Sequence, residues 1–335
     1  MSPDVFTVSV AELGDMGRPM NEEFVHRSVM LAEILEVFVA LDGGTFLDGT
    51  LGGGGHSAAV LAAHPSVHLL GLDQDPHALA AAAARLDELG LGGRATLRRA
   101  RFDSVSDVAA GEGIGSLAGA LFDLGVSSPQ FDVAARGFSY RHDAPLDMRM
   151  DPDAPLDADE VVNTWSEDRI AGILRSHADE RHAGRIARAI VAARPIRGTA
   201  QLAEVVVSSI PAPARRHGGH PAKRTFQAIR IAVNGELEVL PSALRDTIDL
   251  LAPGARLAVL SYHSGEDRIV KSVMRSAETG ECTCPPALPC ACGAVRSVRR
   301  VRAPRTASRA EVVSNPRSSS ARLRVVEKLP TGELP

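Results

Sequence analysis

Short apolar runs alternate with alanine-rich amphipathic runs between residues 26 and 125. Four of the apolar runs have the length of buried strands, and they lie at 45–49, 67–73, 95–102 and 117–125. The second is followed by a helical pattern that opens with Asp75, a suitable N-cap, and Pro76 at the first helical position. This alternation predicts an α/β fold with a doubly wound parallel sheet.

The alternation stops in the middle of the chain and later resumes. Residues 131–235 are polar, interrupted by proline and helical in pattern, whereas 255–263 and 321–329 again have the pattern of strands. Ser264 and Asp267 match a capping box at the start of the last predicted helix. The expected units are a disordered extension at 1–19, a sheet domain split between 20–130 and 236–335, and an inserted helical domain at 131–235.

Charge is unevenly distributed along the 335 residues, whose net charge is -4. Between Arg296 and Lys328, ten basic side chains are opposed only by Glu311 and Glu327. Such a basic segment suggests a polyanionic partner, although a solvated tail is the commoner reason for a charge run. No apolar run has membrane-spanning length and no signal-peptide pattern opens the chain, so a cytoplasmic protein is expected.

All four cysteines lie in one short segment, CTCPPALPCAC, as Cys282, Cys284, Cys290 and Cys292. A secreted disulfide scaffold would spread its cysteines along the chain. Structural zinc sites favour C-x2–4-C spacing, and two C-x-C pairs would be cramped around one ion. We therefore expect reduced thiols in a loop and no metal, with four-thiolate metal binding as the alternative.

The segment LDGTLGGGGH places Gly52–Gly55 directly after the first predicted strand and at the start of a helix. Glycines at this point let the backbone approach a ligand closely. Asp73 ends the next strand, where nucleotide-binding sheets use an acid to bind ribose hydroxyls. No P-loop lysine follows, and Ser57 stands where a dinucleotide fingerprint has its third glycine. S-adenosylmethionine, with a ribose but no pyrophosphate, suits this pattern, and a flexible turn is the alternative.

The fourth strand runs into DLGVSSPQFD at the carboxyl edge of the sheet, where doubly wound folds place their active sites. The segments that accompany it are LDGTLGGGGHS, LDQDP, RGFSY, PLDMRMDP, HPAKRTFQAIRIAVNGELE and SYHSGEDRIVK. From His26 to Leu329 the sequence resembles the RsmH (MraW) family of bacterial 16S ribosomal RNA cytosine-N4 methyltransferases. It departs from that family's usual residues at Tyr262 (usually Phe), Gly265 (usually Leu) and 178–181 (usually GEER).

The resemblance implies a Rossmann-like class I methyltransferase sheet with S-adenosylmethionine as cofactor. The implied cofactor residues are Gly54, Gly55 and His56 at the methionine part, Asp73 at the ribose, Phe102 at the adenine, and Asp123 with Gln130 closing the pocket. The implied reaction methylates N4 of a specific cytidine near the decoding centre. The implied partner is 16S ribosomal RNA or the small ribosomal subunit, with no membrane and no obligatory protein partner.

Cytosine N4 is a poor nucleophile because its lone pair is delocalised into the ring. The enzyme must therefore align nitrogen, methyl group and sulfur and exclude water. The turn stiffened by Pro129 offers backbone carbonyls to the amino protons, and Gln130 follows it at the expected reacting centre. Asp147 is a candidate proton acceptor, and a salt bridge to Arg149 or a helix cap is an equally good interpretation.

A target base must leave its stack to be methylated, and Phe138 or Tyr140 is a candidate to stack on it. The pattern of 223–238 predicts one amphipathic helix. Its apolar face consists of Phe226, Ile229, Val233 and Leu237. Its polar face consists of Lys223, Gln227, Arg230 and Asn234. RNA contact and simple solvation explain that polar face equally well.

Three other functions share part of this pattern. A DNA amino methyltransferase uses the same chemistry, and comparing RNA with DNA of one sequence distinguishes it. A nicotinamide oxidoreductase shares the glycine loop and Asp73, but Ser57 replaces the third glycine that it needs. An inactive ribosome-assembly factor would not need the motif residues intact. The leading hypothesis is therefore a ribosomal RNA methyltransferase.

Overall fold

The computed structural model describes residues 28–126, 133–214, 219–285 and 291–330. Its strands are β1 Gly44–Asp48, β2 Val67–Asp73, β3 Ala95–Arg99, β4 Leu117–Asp123, β5 Leu251–Ser261, β6 Val298–Arg300 and β7 Arg322–Lys328. Its α-helices are α1 Leu31–Val37, α2 Gly55–Ala63, α3 Pro76–Glu88, α4 Val105–Gly111, α5 Ala158–Thr164, α6 Glu167–Ala178, α7 Ala183–Ala192, α8 Thr199–Ser209, α9 Lys223–Asn234, α10 Glu236–Leu250, α11 Ser264–Thr279 and α12 Arg309–Ser314.

The strands form one sheet in the order β3-β2-β1-β4-β5-β7-β6. Neighbouring strands from β1 to β5 are parallel, while β7 runs antiparallel between β5 and β6. The predicted doubly wound α/β fold is therefore confirmed, and the strand predicted at 321–329 is β7. The sequence pattern missed β6 because its three residues are too few to show a period. The strand order reverses between β1 and β4, which opens a crevice at the carboxyl edge.

Helices cover both faces of the sheet, so its strands are apolar on both sides rather than alternating with polar residues. On one face Phe122 and Val259 pack in a cluster with Leu244 of α10. On the other face Phe46 packs in a cluster with Leu61 of α2. The glycine loop and the strand ends are therefore supported by apolar packing on both faces of the sheet.

The start of α3 is formed as predicted. The side chain of Asp75 accepts a hydrogen bond from the backbone N–H of His77 at 3.0 Å, and Pro76 is the first helical residue. The buried Asp75 also forms an ion pair with Arg136, which is partly exposed, at 2.8 Å. The cap therefore ties the end of β2 to the segment that follows β4.

A separate hydrophobic cluster lies in α5 to α9, the helices between β4 and β5 in the chain. Its buried members include Trp165, Leu174, Ile186, Ile190 and Phe226. This cluster has no residue in common with the two clusters on the sheet. These helices therefore have a core of their own among the described residues.

The helix predicted over 223–238 is two helices in the structure. α9 ends at Asn234 and α10 begins at Glu236, because Gly235 adopts φ +60°, a left-handed conformation that interrupts the α-helix. Leu237 therefore does not extend the apolar face of α9. It belongs to α10 and lines the cleft described below.

The cap of α11 lies one residue earlier than predicted. His263 is the N-cap, and its Nδ1 accepts a hydrogen bond from the N–H of Glu266 at 3.4 Å. The Glu266 carboxylate accepts in return from the N–H of His263 at 3.3 Å. The predicted cap Ser264 lies inside the helix, and Asp267 instead binds Arg324 at 2.7 and 2.9 Å. Histidine is outside the usual set of caps, so the sequence pattern favoured the serine beside it.

The basic segment between residues 296 and 328 is part of the fold and not a tail. It contains β6, α12 and β7. Arg299 pairs with Glu327 at 2.5 Å, and Arg300 pairs with Glu278 at 2.6 Å. Part of its positive charge is therefore used inside the protein.

The extension predicted at 1–19 lies outside the described residues. Within the ranges that the structure describes, no helix is both long and apolar enough to cross a membrane.

Candidate active site

A cleft of about 1140 Å³ opens at the carboxyl edge of the sheet, beside the point where the strand order reverses. Residues 49–56, without Gly54, and the ends of β2 and β4 line it from the sheet. Residues of α9 and α10 line it as well, together with part of the segment 316–320. The sheet, the inserted helices and the C-terminal segment therefore meet at one site.

Hydrogen bonds fix the path of the glycine loop. The N–H groups of Gly49 and Leu51 donate to carbonyl oxygens of β4 and β2, each at 2.9 Å. The N–H of Gly52 donates to Oδ2 of Asp73 at 2.8 Å. The loop is therefore attached to both strands that flank β1, and a ligand meets a preformed backbone.

The glycines of this loop serve different purposes. Gly54 adopts φ +70°, and a Cβ on it would lie 3.1 Å from the Cβ of Ala82 in α3. A Cβ on Gly53 would meet nothing within 4 Å, and one on Gly55 would collide with Oγ of Ser28. Gly53 and Gly55 are among the described residues that line the cleft, whereas Gly54 is not. The implied role of Gly54 at the cofactor therefore stays a prediction, and the structure shows in addition that this glycine allows α2 and α3 to pack closely.

Asp48 lies beneath the loop at the end of β1, with only 2% of its surface exposed. Its Oδ2 accepts a hydrogen bond from Oγ of Ser57 at 2.5 Å, and its Oδ1 accepts from the N–H of Thr50 at 3.2 Å. Burial raises the pKa of Asp48 above its ordinary value. Asp48 therefore joins the loop to the start of α2 from inside the protein.

Asp73 lies at the end of β2 and lines the cleft. Its two oxygens accept backbone hydrogen bonds, one from Gly52 at 2.8 Å and one from Asp75 at 2.9 Å. Burial raises the pKa of Asp73 to about 6, and these two bonds offset that effect only in part. Because a carboxylate has about four acceptor sites, Asp73 has capacity left for ribose hydroxyls.

Asp123 is the centre of a polar cluster at the end of β4. Its Oδ1 accepts a hydrogen bond from the Tyr262 hydroxyl at 2.6 Å, and its Oδ2 lies 3.6 Å from Nδ1 of His56. Nε2 of His56 donates to the carbonyl oxygen of Val29 at 2.9 Å. Burial and the charge of Asp123 raise the pKa of Tyr262 well above its ordinary value, so the hydroxyl stays a donor. The structure thus brings together two predicted residues, Asp123 and His56.

Phe102 also lines the cleft, although not from the strand that was predicted to carry it. β3 ends at Arg99, and Phe102 begins a short 3-10 helix after it. Its ring meets that of Phe122 edge to face, with centroids 5.9 Å apart. The core therefore supports one side of Phe102, and the ring offers an apolar surface to the cleft.

The structure supports the salt-bridge interpretation of Asp147. Its carboxylate accepts hydrogen bonds from the backbone N, Nε and Nη2 of Arg149 at 2.9–3.0 Å. Burial alone would raise the pKa of Asp147, but the hydrogen bonds and charge of Arg149 outweigh burial and lower it. Asp147 is not among the described residues that line the cleft. A carboxylate held in this way is a poor proton acceptor.

Pro129 and Gln130 lie outside the described residues, so their roles stay predictions. Leu124, Gly125 and Val126 end the preceding described range and line the cleft. The described chain after β4 therefore enters the cleft three residues before Pro129.

The two aromatic candidates for base stacking also line the cleft. Phe138 is 6% exposed and belongs to the core of the inserted helices. Tyr140 is more exposed, and its ring stacks on that of His220 at 4.3 Å with an interplanar angle of 11°. Tyr140 is therefore the more exposed of the two candidates, with one face of its ring already stacked on His220.

The predicted polar face of α9 is used in two ways. Asn234 is buried and bonded to backbone groups of Met148 and Met150, at 2.8 and 2.7 Å. Arg230 lines the cleft, but its guanidinium forms two hydrogen bonds with Glu236 at 2.8 and 2.9 Å. Lys223 and Gln227 line the cleft as well. Of the four predicted polar residues, Asn234 is therefore structural and unavailable to RNA.

Comparison with known families places this site in context. The model of the MraW methylase family matches residues 23–329 of the chain. The chain belongs to the MraW methylase family. The expected family is thereby confirmed, together with the class I methyltransferase fold and S-adenosylmethionine as the cofactor.

Two relatives of this methylase match it over nearly their whole length. Ribosomal RNA small subunit methyltransferase H of Symbiobacterium thermophilum is 52% identical over 316 residues, which cover 92% of this chain and 98% of that protein. The protein of the same name from Heliobacterium modesticaldum is 50% identical over 313 residues, covering 91% and 99%. A solved rRNA methylase from Streptococcus thermophilus has a TM-score of 0.40 at 12% identity, covering 90% of this chain and 94% of that one. The fold assignment therefore rests on strand order and family, not on that structural likeness.

The cleft of this methylase fits S-adenosylmethionine. Gly53 has no side chain, so the part of the cleft beside its backbone stays open to the cofactor. The carboxylate of Asp73, at the end of β2, offers hydrogen-bond acceptors to the ribose hydroxyls. Phe102 presents an apolar ring beside them. The volume of about 1140 Å³ exceeds the roughly 300–1000 Å³ of ordinary small-molecule sites. There is therefore room for the cofactor and a target base together.

The sequence pattern did not predict that Tyr262 and residues of the segment 316–320 line the cleft. Tyr262 was noted only as a departure from the family pattern, although the end of β5 lies next to Asp123 at the end of β4. The segment 316–320 reaches the cleft from the far end of the chain. Adjacent strand ends were a usable indication for Tyr262, whereas no local pattern indicated 316–320.

Proposed function

We propose that this MraW methylase acts on ribosomal RNA of the small subunit, and that it methylates N4 of a specific cytidine in 16S ribosomal RNA near the decoding centre. The observation that carries the proposal is the cleft, where the glycine loop, Asp73 and Asp123 meet the inserted helices. The sequence resemblance and the names of the relatives support the RNA substrate.

The cofactor is held by the sheet side of the cleft. The backbone of Gly53 and Gly55 borders the methionine part, Asp73 accepts hydrogen bonds from the ribose hydroxyls, and Phe102 packs against the adenine. His56, fixed by its bond to Val29, stands beside the methionine part. When bound, S-adenosylmethionine supplies an electrophilic methyl group on a positively charged sulfur.

The target amine is aligned by groups that are themselves held in place. The Tyr262 hydroxyl donates to the carboxylate of Asp123 at 2.6 Å, and Nδ1 of His56 lies 3.6 Å from its other oxygen. The position of Asp123 is therefore set by Tyr262 before the base arrives. The turn at Pro129 offers its carbonyls to the amino protons, and Gln130 contacts the base. Hydrogen bonds to those protons draw the nitrogen lone pair out of conjugation, and the filled cleft excludes water.

The RNA is held mainly by the opposite side of the cleft, with a further contact from the segment 316–320. We assign substrate binding to the inserted domain at 131–235 and cofactor binding to the sheet domain at 20–130 and 236–335. Lys223 and Arg317 line the cleft from these two parts and suit phosphate contacts that position the strand. The target base reaches the cofactor only when it is out of its stack. The reaction is cytoplasmic and needs neither a membrane nor an obligatory protein partner.

The experiment that tests this function uses purified protein, S-adenosylmethionine with a labelled methyl group, and either free 16S ribosomal RNA or small subunits. Digestion to nucleosides and mass spectrometry should find N4-methylcytidine at one position. DNA of the same sequence should stay unmodified. Equal methylation of the DNA would favour a DNA amino methyltransferase, and a methyl group on carbon or on ribose would contradict the proposed chemistry.

The role of Gln130 is tested by the substitution Gln130→Ala. Single-turnover methylation at saturating cofactor and RNA separates the chemical step from binding, and the rate should fall. Gln201→Ala is a matched control, because Gln201 is an exposed glutamine of α8 whose side chain contacts the Arg197 backbone. An unchanged rate in Gln130→Ala would remove Gln130 from the reacting centre.

A further inference from the structure

Three cysteine sulfurs converge in the loop between α11 and β6. The Sγ atoms of Cys282, Cys284 and Cys292 all lie within 4.8 Å of one another. Those of Cys282 and Cys292 are 3.6 Å apart. In the sequence, the C-x-C spacing predicted that these cysteines bind no metal. In the structure, that spacing still allows the three sulfurs to lie close together.

These distances suit a shared ion and not a disulfide. A disulfide holds its sulfurs about 2.05 Å apart, whereas the pair Cys282 and Cys292 is 3.6 Å apart. Tetrahedral zinc with Zn–S bonds of about 2.3 Å places its sulfurs about 3.8 Å from one another. The Cys282–Cys292 distance of 3.6 Å therefore lies close to that of a zinc–thiolate site, and the third sulfur lies within 4.8 Å of both.

The surroundings of the sulfurs fit the same chemistry. The backbone N–H of Ala291 donates to Sγ of Cys284 at 3.4 Å. Such N–H groups stabilise a thiolate more than a thiol and orient it toward a metal. Thiolate ligands select soft or borderline ions such as zinc over magnesium or calcium.

The described residues of this loop bury little apolar surface beyond its base. Its base is fixed, because Gly280 lies against the backbone of Val295 and the N–H of Ser297 donates to the carbonyl of Ala277 at 3.0 Å. Beyond that base, Ala294 is the buried apolar residue among the described positions, while Val295 is 54% exposed. A bound ion stabilises such a segment where burial does not.

We propose that Cys282, Cys284 and Cys292 bind a structural zinc ion that fixes the loop between α11 and β6. Binding converts three thiols to thiolates and releases three protons to solvent. Three thiolates leave one of the four tetrahedral positions to a ligand other than these residues.

This site is separate from the cleft. α11 has 16 residues and begins at the cleft with His263 as its cap, while the cysteines follow its other end. At 1.5 Å per residue, the two ends of the helix are about 22 Å apart. The proposal therefore does not depend on the proposed function, and loss of the ion is expected to leave cofactor affinity unchanged.

The test is the metal content of the full-length protein, expressed with zinc and purified under reducing conditions. Elemental analysis should find about one zinc per chain. Replacement of zinc by cobalt(II) should produce sulfur-to-metal charge-transfer bands and the intense visible bands of tetrahedral cobalt. Cys282→Ser, Cys284→Ser and Cys292→Ser should each weaken zinc binding on the order of 100-fold or more, since a direct ligand is worth more than the 10–100-fold of an outer-shell partner.

Thr283→Ala is the matched control, because Thr283 is exposed between two of the cysteines and carries no sulfur. It should retain zinc, and chelation should lower the melting temperature of the parent protein and of this control alike. A parent protein that is free of zinc and gives no cobalt–thiolate bands would overturn the proposal, whether or not the serine variants fold.

Discussion

Replacing Asp73 with asparagine tests the link between one buried carboxylate and the cofactor. Asp73 accepts hydrogen bonds from the backbone of Gly52 and Asp75, and it lines the cleft at the end of β2. Asp73→Asn keeps the size of the side chain but removes its charge and half of its acceptors. The variant therefore weakens the ribose contact without opening a cavity.

The expected loss can be calculated from the contacts. A hydrogen bond to a charged group is worth about 1.5–3 kcal/mol, so losing one should raise the Kd for S-adenosylmethionine by about 10–150-fold at pH 7. The affinity of the parent protein should also depend on pH, because the pKa of Asp73 is about 6. About one tenth of a group with that pKa is ionised at pH 5 and about nine tenths at pH 7, so affinity should fall about tenfold between pH 7 and pH 5.

The same pKa predicts how Asp73 affects folding. The pKa is raised from 3.8 in the unfolded chain to about 6 in the folded protein, so the protonated form favours folding. This contribution is complete below about pH 3.8 and is lost as the pH rises to about 6. At neutral pH the ionised carboxylate costs stability, so the uncharged Asp73→Asn variant is expected to fold.

Isothermal titration calorimetry of both proteins at pH 5 and pH 7 measures these effects, and a thermal melt verifies the fold. Asp42→Asn, which changes an exposed carboxylate before β1, is the control and should bind as the parent does. The pH dependence should vanish in Asp73→Asn. Unchanged affinity in that variant at pH 7 would refute the ribose assignment, and a parent affinity that does not change with pH would refute the role of ionised Asp73.

The remaining predictions concern the loop, the polar cluster and the basic segment. Gly54→Val should lower the free energy of unfolding by about 2–5 kcal/mol in denaturant titrations, from backbone strain and overpacking; an unchanged midpoint would contradict the packing argument. Tyr262→Phe should cost about 1.5–3 kcal/mol, because the Asp123 carboxylate loses a donor, and the same titration measures it. Arg302 and Arg305 are exposed, and changing both to Gln should make the slope of log affinity for RNA against log salt shallower by about 1.4–1.8 without moving the methylated nucleotide. An unchanged slope would show that neither arginine neutralises a phosphate.

Local patterns predicted the parts of this fold that depend on neighbouring residues. Strand–helix alternation identified the doubly wound sheet, and the cap at Asp75 identified the start of α3. The positions of Asp73 and Asp123 at strand ends were enough to place both at the carboxyl edge. Those inferences held because hydrophobic period and turn chemistry act over only a few residues.

The same reasoning failed where a distant contact decided the outcome. At Gly54 a side chain would meet Ala82 of α3, a contact that the glycine run does not reveal. The polar residues of α9 differ in their partners. Arg230 forms hydrogen bonds with Glu236 of the next helix, and Asn234 donates a hydrogen bond to the backbone of Met148, in the segment after β4. A helical wheel shows which residues share a face but not what that face meets.

The sequence by itself determined the sheet, the glycine loop and the acids that follow its strands, since each is encoded by residues close together in the chain. Only the tertiary structure decided that Tyr262 meets Asp123, that 316–320 reaches the cleft, and that three cysteine sulfurs lie within 4.8 Å of one another. Strand order and helix packing bring these groups together across long stretches of chain. The spacing of residues along the sequence does not predict these distances. They depend on how the helices and strands pack, and that packing is determined by the burial of apolar surfaces that distant elements share.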